Sequence, residues 1–347
     1  MEDIEEPKLQ PGHVKVRIAY CGICGSDLHE WRVGPVNAPT KPHPHTGDKI
    51  PTVLGHEPAG TIVEVDSSVN SLKVGDKVAV FPCFSCLKPD CHWCQTEVYG
   101  LCPEYGFYGY ACSLSGGMAE YGVFDHRKCF KIPDHIGLDV AALVEPLAVG
   151  WHAVKKGEVN ANSICLVIGA GPIGISVVHG LVAAGVKQII VSEPTASRAE
   201  QAKIAGASKV LDPRQTDVVA YLRGLEDGHG AHTAFECAGI QVSFDTALKA
   251  VRGGGTIVNV AVYEKSELVW HNPNELNRMQ LRVVGSNIYT PAEYQEVIDA
   301  IADGRIRNPE TMITGKVSLD RVMEDGFDQL LKGVEGHVKI LVSPNTA

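Results

Sequence analysis

The segment ICLVIGAGPIGISVVHGLVAAG, residues 164–185, limits the fold more than any other stretch of the chain. The run Ile164–Ile168 is apolar throughout, short and closed by glycine, which reads as a buried strand. A glycine turn and a helical stretch follow it. QIIVSEPTASRAEQAKIAGASKVLD repeats the strand-then-helix order, and HTAFECAG and GGGTIVNVAV add two more glycine-bounded apolar runs. Strands alternating with helices imply βαβ units and a parallel sheet. At least this part of the chain is therefore expected to be α/β.

Gly169, Gly171 and Gly174 stand in G-x-G-x-x-G spacing, with Pro172 and Ile173 inside the same turn. The spacing alone is a weak signal, and its place between a strand and a helix is what makes it meaningful. Gly169 permits the tight turn, Gly171 lets backbone N–H groups approach a pyrophosphate, and Gly174 lets helix and strand pack closely. The pyrophosphate would lie at the positive helix N-terminus. A plain glycine-rich turn is the alternative. Glu193 ends the next strand, 19 residues after Gly174. A carboxylate there accepts hydrogen bonds from the adenosine ribose and repels a 2′-phosphate, so NAD is expected over NADP. Arg198 could stack on the adenine or be a solvated helix charge.

The first third has a different texture. HVKVRIAY alternates, with Val14, Val16 and Ile18 on one face, and AGTIVEVD, VGDKVAVF, GMAEYGVFD and CFKIP read as further strands. The pattern changes near Asp139. Towards the C-terminus, TPAEYQEVIDAIADG is an amphipathic helix, DRVMEDGFDQLLKG is expected as another, and HVKILVSP is a final strand. A chain of 347 residues fits two domains better than one core. Net charge is −10 with no Lys/Arg cluster, which argues against a nucleic-acid partner. No apolar run reaches the roughly 18 residues of a membrane span. The acidic start MEDIEEPKLQPGHVK is not a signal peptide, and the end KILVSPNTA carries no lipidation signal. A cytoplasmic protein is expected.

Five of the eleven cysteines, Cys83, Cys86, Cys91, Cys94 and Cys102, lie within AVFPCFSCLKPDCHWCQTEVYGLCPEYG. In a reducing compartment such a cluster is more often a metal site than a set of disulfides. Elsewhere YCGICGSDLHEW, LGHEPAG and ALVEPLAVGWHAV offer Cys24, His56, Glu57 and Glu145. Mixed sulfur, nitrogen and oxygen donors suit a catalytic zinc with one open position. Taken singly, Cys24 reads equally as a buried free thiol. Glu145, in an apolar run, needs a partner that could be a cation or an arginine.

CGICGSDLHE, GHEPAGTIVEV, VGDKV, the cysteine lobe, LVEPLAVGWHAV and GAGPIG occur in the order found in zinc-dependent medium-chain dehydrogenases/reductases, which nearly the whole chain resembles. Within that family, LHEWRVGPVNAPTKPHPHTGDKIPTVLGHE and the C-terminal segment are most similar to butanediol/acetoin (diacetyl reductase) dehydrogenases. The resemblance implies an α/β fold: a GroES-like β-rich catalytic domain over 1–148, with a structural zinc lobe at about 81–117. A Rossmann doubly wound parallel-sheet domain over 149–287 and a return segment over 288–347 complete it, with the active site in the cleft between the domains. It also implies two zinc ions per chain. Cys24 and His56 match the catalytic zinc ligands, with Glu145 in the place of a third and Glu57 beside the metal, able to ligate it. Asp27 would orient His56. Ser26 and His29 match a proton relay, and the backbone of Val260, Ala261 and Val262 would hold the nicotinamide amide.

In the lobe, Cys91, Cys94 and Cys102 keep the family spacing. Cys86 is displaced by two extra residues at LKPD, which a loop could absorb, and Cys83 is left over as a possible substitute ligand. The start of the chain falls some ten to fifteen residues inside the family's usual start, which would leave a β-domain edge unpaired. The implied activity is hydride transfer between NAD(H) and a small secondary alcohol or ketone, 2,3-butanediol, acetoin or diacetyl, in a homodimer or homotetramer. Sorbitol- or threonine-type dehydrogenases are the enzymatic alternative. A catalytically silent NAD-binding regulatory protein is the alternative of a different class.

Overall fold

A computed structural model describes residues 2–112, 115–225, 228–263, 273–333 and 336–345. Residues 113 and 114 of the expected zinc lobe lie outside the described residues. In chain order the strands are β1 (His13–Gly22), β2 (Glu57–Val65), β3 (Lys77–Val80), β4 (Cys83–Phe84), β5 (Gly106–Phe107), β6 (Tyr121–Asp125) and β7 (Cys129–Lys131). They continue with β8 (Ile164–Ile168), β9 (Gln188–Ser192), β10 (Lys209–Leu211), β11 (Ala231–Glu236), β12 (Val251–Asn259), β13 (Arg282–Gly285), β14 (Ile313–Ser318) and β15 (Lys339–Ser343). The chain divides into two compact units: Met1–Glu145 with Tyr289–Ala302 and Ile313–Ala347, and Pro146–Ile288 with Asp303–Met312.

The first unit is built on a mixed sheet in the order β14-β15-β1-β2-β3-β7, with β6 also paired to β1. The alternation of β1 has its expected result: Val14, Val16 and Ile18 are fully buried and join Ile62, Val78, Val80 and Phe124 in one core. Each such side chain contributes about 1.5–3 kcal/mol by leaving water. Lys15, on the same strand, is also buried, with its ammonium on Glu6 and Glu64. The C-terminal strand β15 lies against the end of β1, with Gly22 opposite Leu341. That pairing brings residues about 320 positions apart in sequence to one place.

The second unit holds a six-stranded sheet, all parallel, in the order β10-β9-β8-β11-β12-β13. This is the doubly wound dinucleotide-binding order. β8 is buried at every position, as expected for a parallel strand covered on both faces.

One local expectation is corrected. DRVMEDGFDQLLKG is not a single α-helix. It runs as a 3-10 turn (Leu319–Arg321), a wider π-type stretch (Val322–Phe327) and one α turn (Asp328–Leu331). Val322 and Phe327 pack on Ile23, Ile340 and Val342, and an added Cβ at Gly326 would come within 2.8 Å of Ile23. Tertiary packing overrides the helical period here.

Candidate functional site

Four cysteines converge in the lobe between β4 and β6. The sulfurs of Cys86, Cys91, Cys94 and Cys102 all lie within 4.8 Å of one another. Cys86 and Cys94 are 3.6 Å apart, and Cys91 and Cys102 are 4.0 Å apart. A tetrahedron with metal–sulfur bonds of about 2.3 Å has sulfur–sulfur edges of about 3.8 Å, so the spacing fits a tetrathiolate zinc. The extra residues at LKPD are absorbed by a turn in which Leu87 takes φ 50°. Backbone hydrogen bonds from Leu87 and Lys88 serve the sulfurs of Cys94 and Cys86. Burial opposes the Cys94 thiolate, but hydrogen bonds from Ser85, Cys91 and Cys86 bring its pKa down to about 7. Cys83 is outside this set: it is fully buried, its thiol faces the Phe84 carbonyl, and burial pushes it up to about 12.

A second donor set is assembled from distant segments. Cys24 is the residue before the helix Gly25–Val33, and His56 and Glu57 lead into β2. One ligand atom from each lies within 4.8 Å of the others. His56 is buried; among the described residues its Nδ1 has no hydrogen-bond partner, and Asp27 Oδ1 lies 3.4 Å away. With Nδ1 towards Asp27, Nε2 is the ring nitrogen left to ligate, the arrangement in which an outer carboxylate orients a metal-bound imidazole. Burial works against a charged His56, yet Asp27 and Cys24 hold it well above its usual range. Asp27 is itself fully buried, which opposes its charge, but His56, the Cys24 N–H and Tyr110 keep its carboxyl low. The three converging donors are of the kinds that can hold a metal cation.

Both carboxylates expected at this site are present and differently engaged. Lys339 Nζ, itself fully buried, lies 2.7 and 2.8 Å from the two oxygens of Glu57 and also donates to the Ile23 carbonyl at 3.0 Å. Glu145 is not in the set with Cys24, His56 and Glu57. Its Oε1 accepts a hydrogen bond from Tyr289 at 2.7 Å. Burial, with help from Glu57 and against the pull of His56, raises Glu145 to about 7. Ser26 and His29, three residues apart on one helix, share a face. Tyr110 Oη lies 3.0 Å from both Ser26 Oγ and Asp27 Oδ1. Burial and the neighbouring Asp27 push the Tyr110 phenol well up, so it keeps its proton.

Lys339, Tyr289 and Tyr110 were not singled out from sequence. Lys339 had a signal: a lysine within the apolar run of HVKILVSP needs a buried anion, by the same logic that marked Glu145. The two tyrosines had none.

In the second unit, Gly169 takes φ +90°. An added Cβ at Gly174 would lie 1.9 Å from the Gly169 carbonyl, whereas one at Gly171 would meet nothing within 4 Å. The turn thus leaves open space beside Gly171, at the N-terminus of the helix Pro172–Ala183, which fits a pyrophosphate. Pro172 and Ile173 open that helix. Glu193 is buried at the end of β9, its oxygens accepting from Ala170 N–H and Thr195 N–H, both at 2.7 Å. It ties the glycine turn to the next strand and keeps further lone pairs for ribose hydroxyls. Arg198 is half-buried on the helix Ala196–Ala205. The N–H groups of Val260 and Ala261 both donate to the Glu236 carbonyl.

A glycine turn heading a parallel sheet, together with an open thiolate–imidazole–carboxylate set, defines a metal-dependent oxidoreductase. Residues 10–134 match the alcohol dehydrogenase GroES-like domain, and residues 172–303 match the zinc-binding dehydrogenase domain. A probable diacetyl reductase [(R)-acetoin forming] of Saccharomyces cerevisiae is 38% identical, over 99% of this chain and 86% of its own. The crystal structure of 2R,3R-butanediol dehydrogenase from Bacillus subtilis superposes with a TM-score of 0.91 at 38% identity, covering 99% of this chain and 96% of that one. A putative zinc-binding dehydrogenase from Sinorhizobium meliloti, bound to NADP, gives a TM-score of 0.87 at 30% identity, covering 98% and 94%. The chain belongs to the zinc-binding dehydrogenase family, with a GroES-like domain and a Rossmann domain.

Proposed function

We propose that this protein is an NAD-dependent zinc dehydrogenase that interconverts 2,3-butanediol and acetoin and reduces diacetyl to acetoin. The observation that carries the reaction class is the convergence of Cys24, His56 and Glu57 within 4.8 Å in a chain that also has the glycine turn. The likeness to a diacetyl reductase and a butanediol dehydrogenase over nearly the whole chain supports the substrate. When bound, zinc on Cys24 and His56 supplies Lewis acidity toward the alcohol or ketone oxygen, and the nicotinamide supplies the hydride carrier. The remaining work falls to the chain. Ser26 takes the substrate proton and His29 passes it to solvent. Asp27 orients His56. Lys339 neutralises Glu57, and Glu145, which accepts from Tyr289 through one oxygen, offers its other oxygen to the second hydroxyl of a vicinal diol. A monoalcohol has no group to place there. A site built to bond a hydroxyl rejects analogues that lack it far more strongly than a pocket rejects one methylene, which is worth about 1–3 kcal/mol.

Glu193 favours NAD over NADP, and Val260, Ala261 and Val262 hold the carboxamide. Among the described residues no helix is long and apolar enough to cross a membrane. None of the eleven cysteines is disulfide-bonded, which suits the cytoplasm. A homodimer or homotetramer, as in the family, completes the reading. The test is an NAD-coupled absorbance assay over 2,3-butanediol, acetoin, diacetyl, sorbitol, threonine and 2-butanol. Butanediol should give the highest kcat/KM among the alcohols. A tenfold preference for sorbitol or threonine would remove the substrate assignment and leave the zinc–NAD mechanism.

A further inference from the structure

We propose that Tyr263 is a positioning residue for the nicotinamide half of the cofactor: its phenol latches the backbone strip Val260–Val262 to the buried side chain of Glu236. The inference rests on the reading of that strip as the holder of the nicotinamide amide. Glu236 ends β11 and is fully buried. β11 lies beside β8, where the strand order reverses and a ligand crevice is expected. One oxygen of Glu236, Oε1, accepts from Ala238 N–H at 2.9 Å and Gly239 N–H at 3.0 Å, with Ser243 Oγ 2.5 Å away. The other, Oε2, accepts from Tyr263 Oη at 2.6 Å. The side-chain amide of Asn259 lies 3.0 Å from the same phenol oxygen, and an amide can turn its N–H groups toward it. Glu236 thus has one oxygen in the turn before the helix Gln241–Ala250 and the other on the residue that follows the strip.

Side-chain packing does not fix the outer end of the strip, because Val262 is 84% exposed. Hydrogen bonds do. At the near end the N–H groups of Val260 and Ala261 reach the Glu236 backbone carbonyl at 3.0 and 3.1 Å. At the far end Tyr263 bonds to the side chain of the same residue. Both ends of the strip are therefore tied to one residue of β11. The turn after that residue runs close by. Gly239 takes φ +72°, and an added Cβ there would lie 3.0 Å from the Val262 carbonyl. An added Cβ at Gly169 would come within 3.1 Å of Ala238, so the glycine turn stands on the other side. A strip fixed before the cofactor arrives avoids the cost of ordering it on binding. Oε1 keeps its backbone donors without the phenol. Loss of the phenol oxygen should thus loosen the strip and leave Glu236 in place.

Tyr263→Phe keeps the ring and removes only that oxygen. Two measurements on the full chain test it, and neither needs turnover. In the ligand-free protein, hydrogen exchange should quicken at the Val260 and Ala261 amides and stay at the wild-type rate at Ala238 and Gly239. In binding, the dissociation constant for NADH should rise about three- to tenfold, the range of one net hydrogen bond, while that for ADP-ribose, which has no nicotinamide, stays within about twofold of wild type. An equal loss for both ligands, or no loss for either, would overturn the proposal. So would a loss for NADH with unchanged exchange, since the phenol would then be touching the cofactor rather than holding the strip. A wild-type protein that bound neither ligand would overturn the cofactor reading and this inference with it, whereas the other outcomes leave that reading intact.

Discussion

The cysteine lobe and the Cys24/His56/Glu57 set use some of the same atoms for opposite ends. The lobe gathers four sulfurs from 17 consecutive residues, all within 4.8 Å of one another. Four thiolates would leave a zinc no open position, which fits a structural role for the lobe. The other set draws its donors from residues 24, 56 and 57 and places charge behind them: Asp27 on His56, Lys339 on Glu57. It has fewer ligands and more machinery. A short loop suffices to close a metal off, whereas keeping one reactive requires a sheet to bring distant strands together.

Five substitutions probe this contrast. The largest effect should come from Cys24→Ser, which removes a ligand from the open set. Activity should fall at least about a thousandfold, the loss expected when several kcal/mol of Lewis-acid stabilisation disappear. Metal analysis should drop from two zinc ions per chain to one. If one zinc only were present and Cys24→Ser retained it, the lobe would be the sole metal site and the contrast would collapse.

Lys339→Met comes next. It strands the Glu57 carboxylate in a buried place, and breaking such a pair costs about 3–5 kcal/mol, read as a lowered denaturation midpoint. Glu57→Gln in the same background should recover part of that loss. The absence of any recovery would show that the lysine acts through something other than the pair.

Cys94→Ser opens the lobe. One zinc should be lost and the protein destabilised by about 2–3 kcal/mol, the linkage value when free metal stands near a hundred times its Kd. Turnover per remaining active-site zinc should change little. A loss of activity as severe as that of Cys24→Ser would mean that the lobe is not merely structural. The smallest effect belongs to Cys83→Ala: about 1 kcal/mol for a small buried deletion, with both zinc ions retained. Loss of the lobe zinc in that variant would place Cys83 among the ligands after all.

The same contrast explains what could be read in advance. The α/β character of the second unit was legible because β8, the glycine turn and the helix after it are contiguous, and a local pattern needs no knowledge of the rest of the fold. The four cysteine ligands were legible for the same reason, and even the displaced Cys86 needed only a turn at Leu87. The period of DRVMEDGFDQLLKG misled, because the packing of Val322 and Phe327 on Ile23 outweighed a weak helical preference around Gly326.

By itself the sequence determined the parallel sheet, the nucleotide turn and the inventory of donors, since each depends on residues close together along the chain. Only the tertiary structure decided how the acids divide their work. Glu57 and Glu145 are indistinguishable as buried carboxylates in a string of letters. The pairing of β15 with β1 brings Lys339 to Glu57, and the segment after β13 brings Tyr289 to Glu145. The charge of a buried group is set by whichever partner shares its low-dielectric surroundings, and that partner is chosen by strand pairing across hundreds of residues.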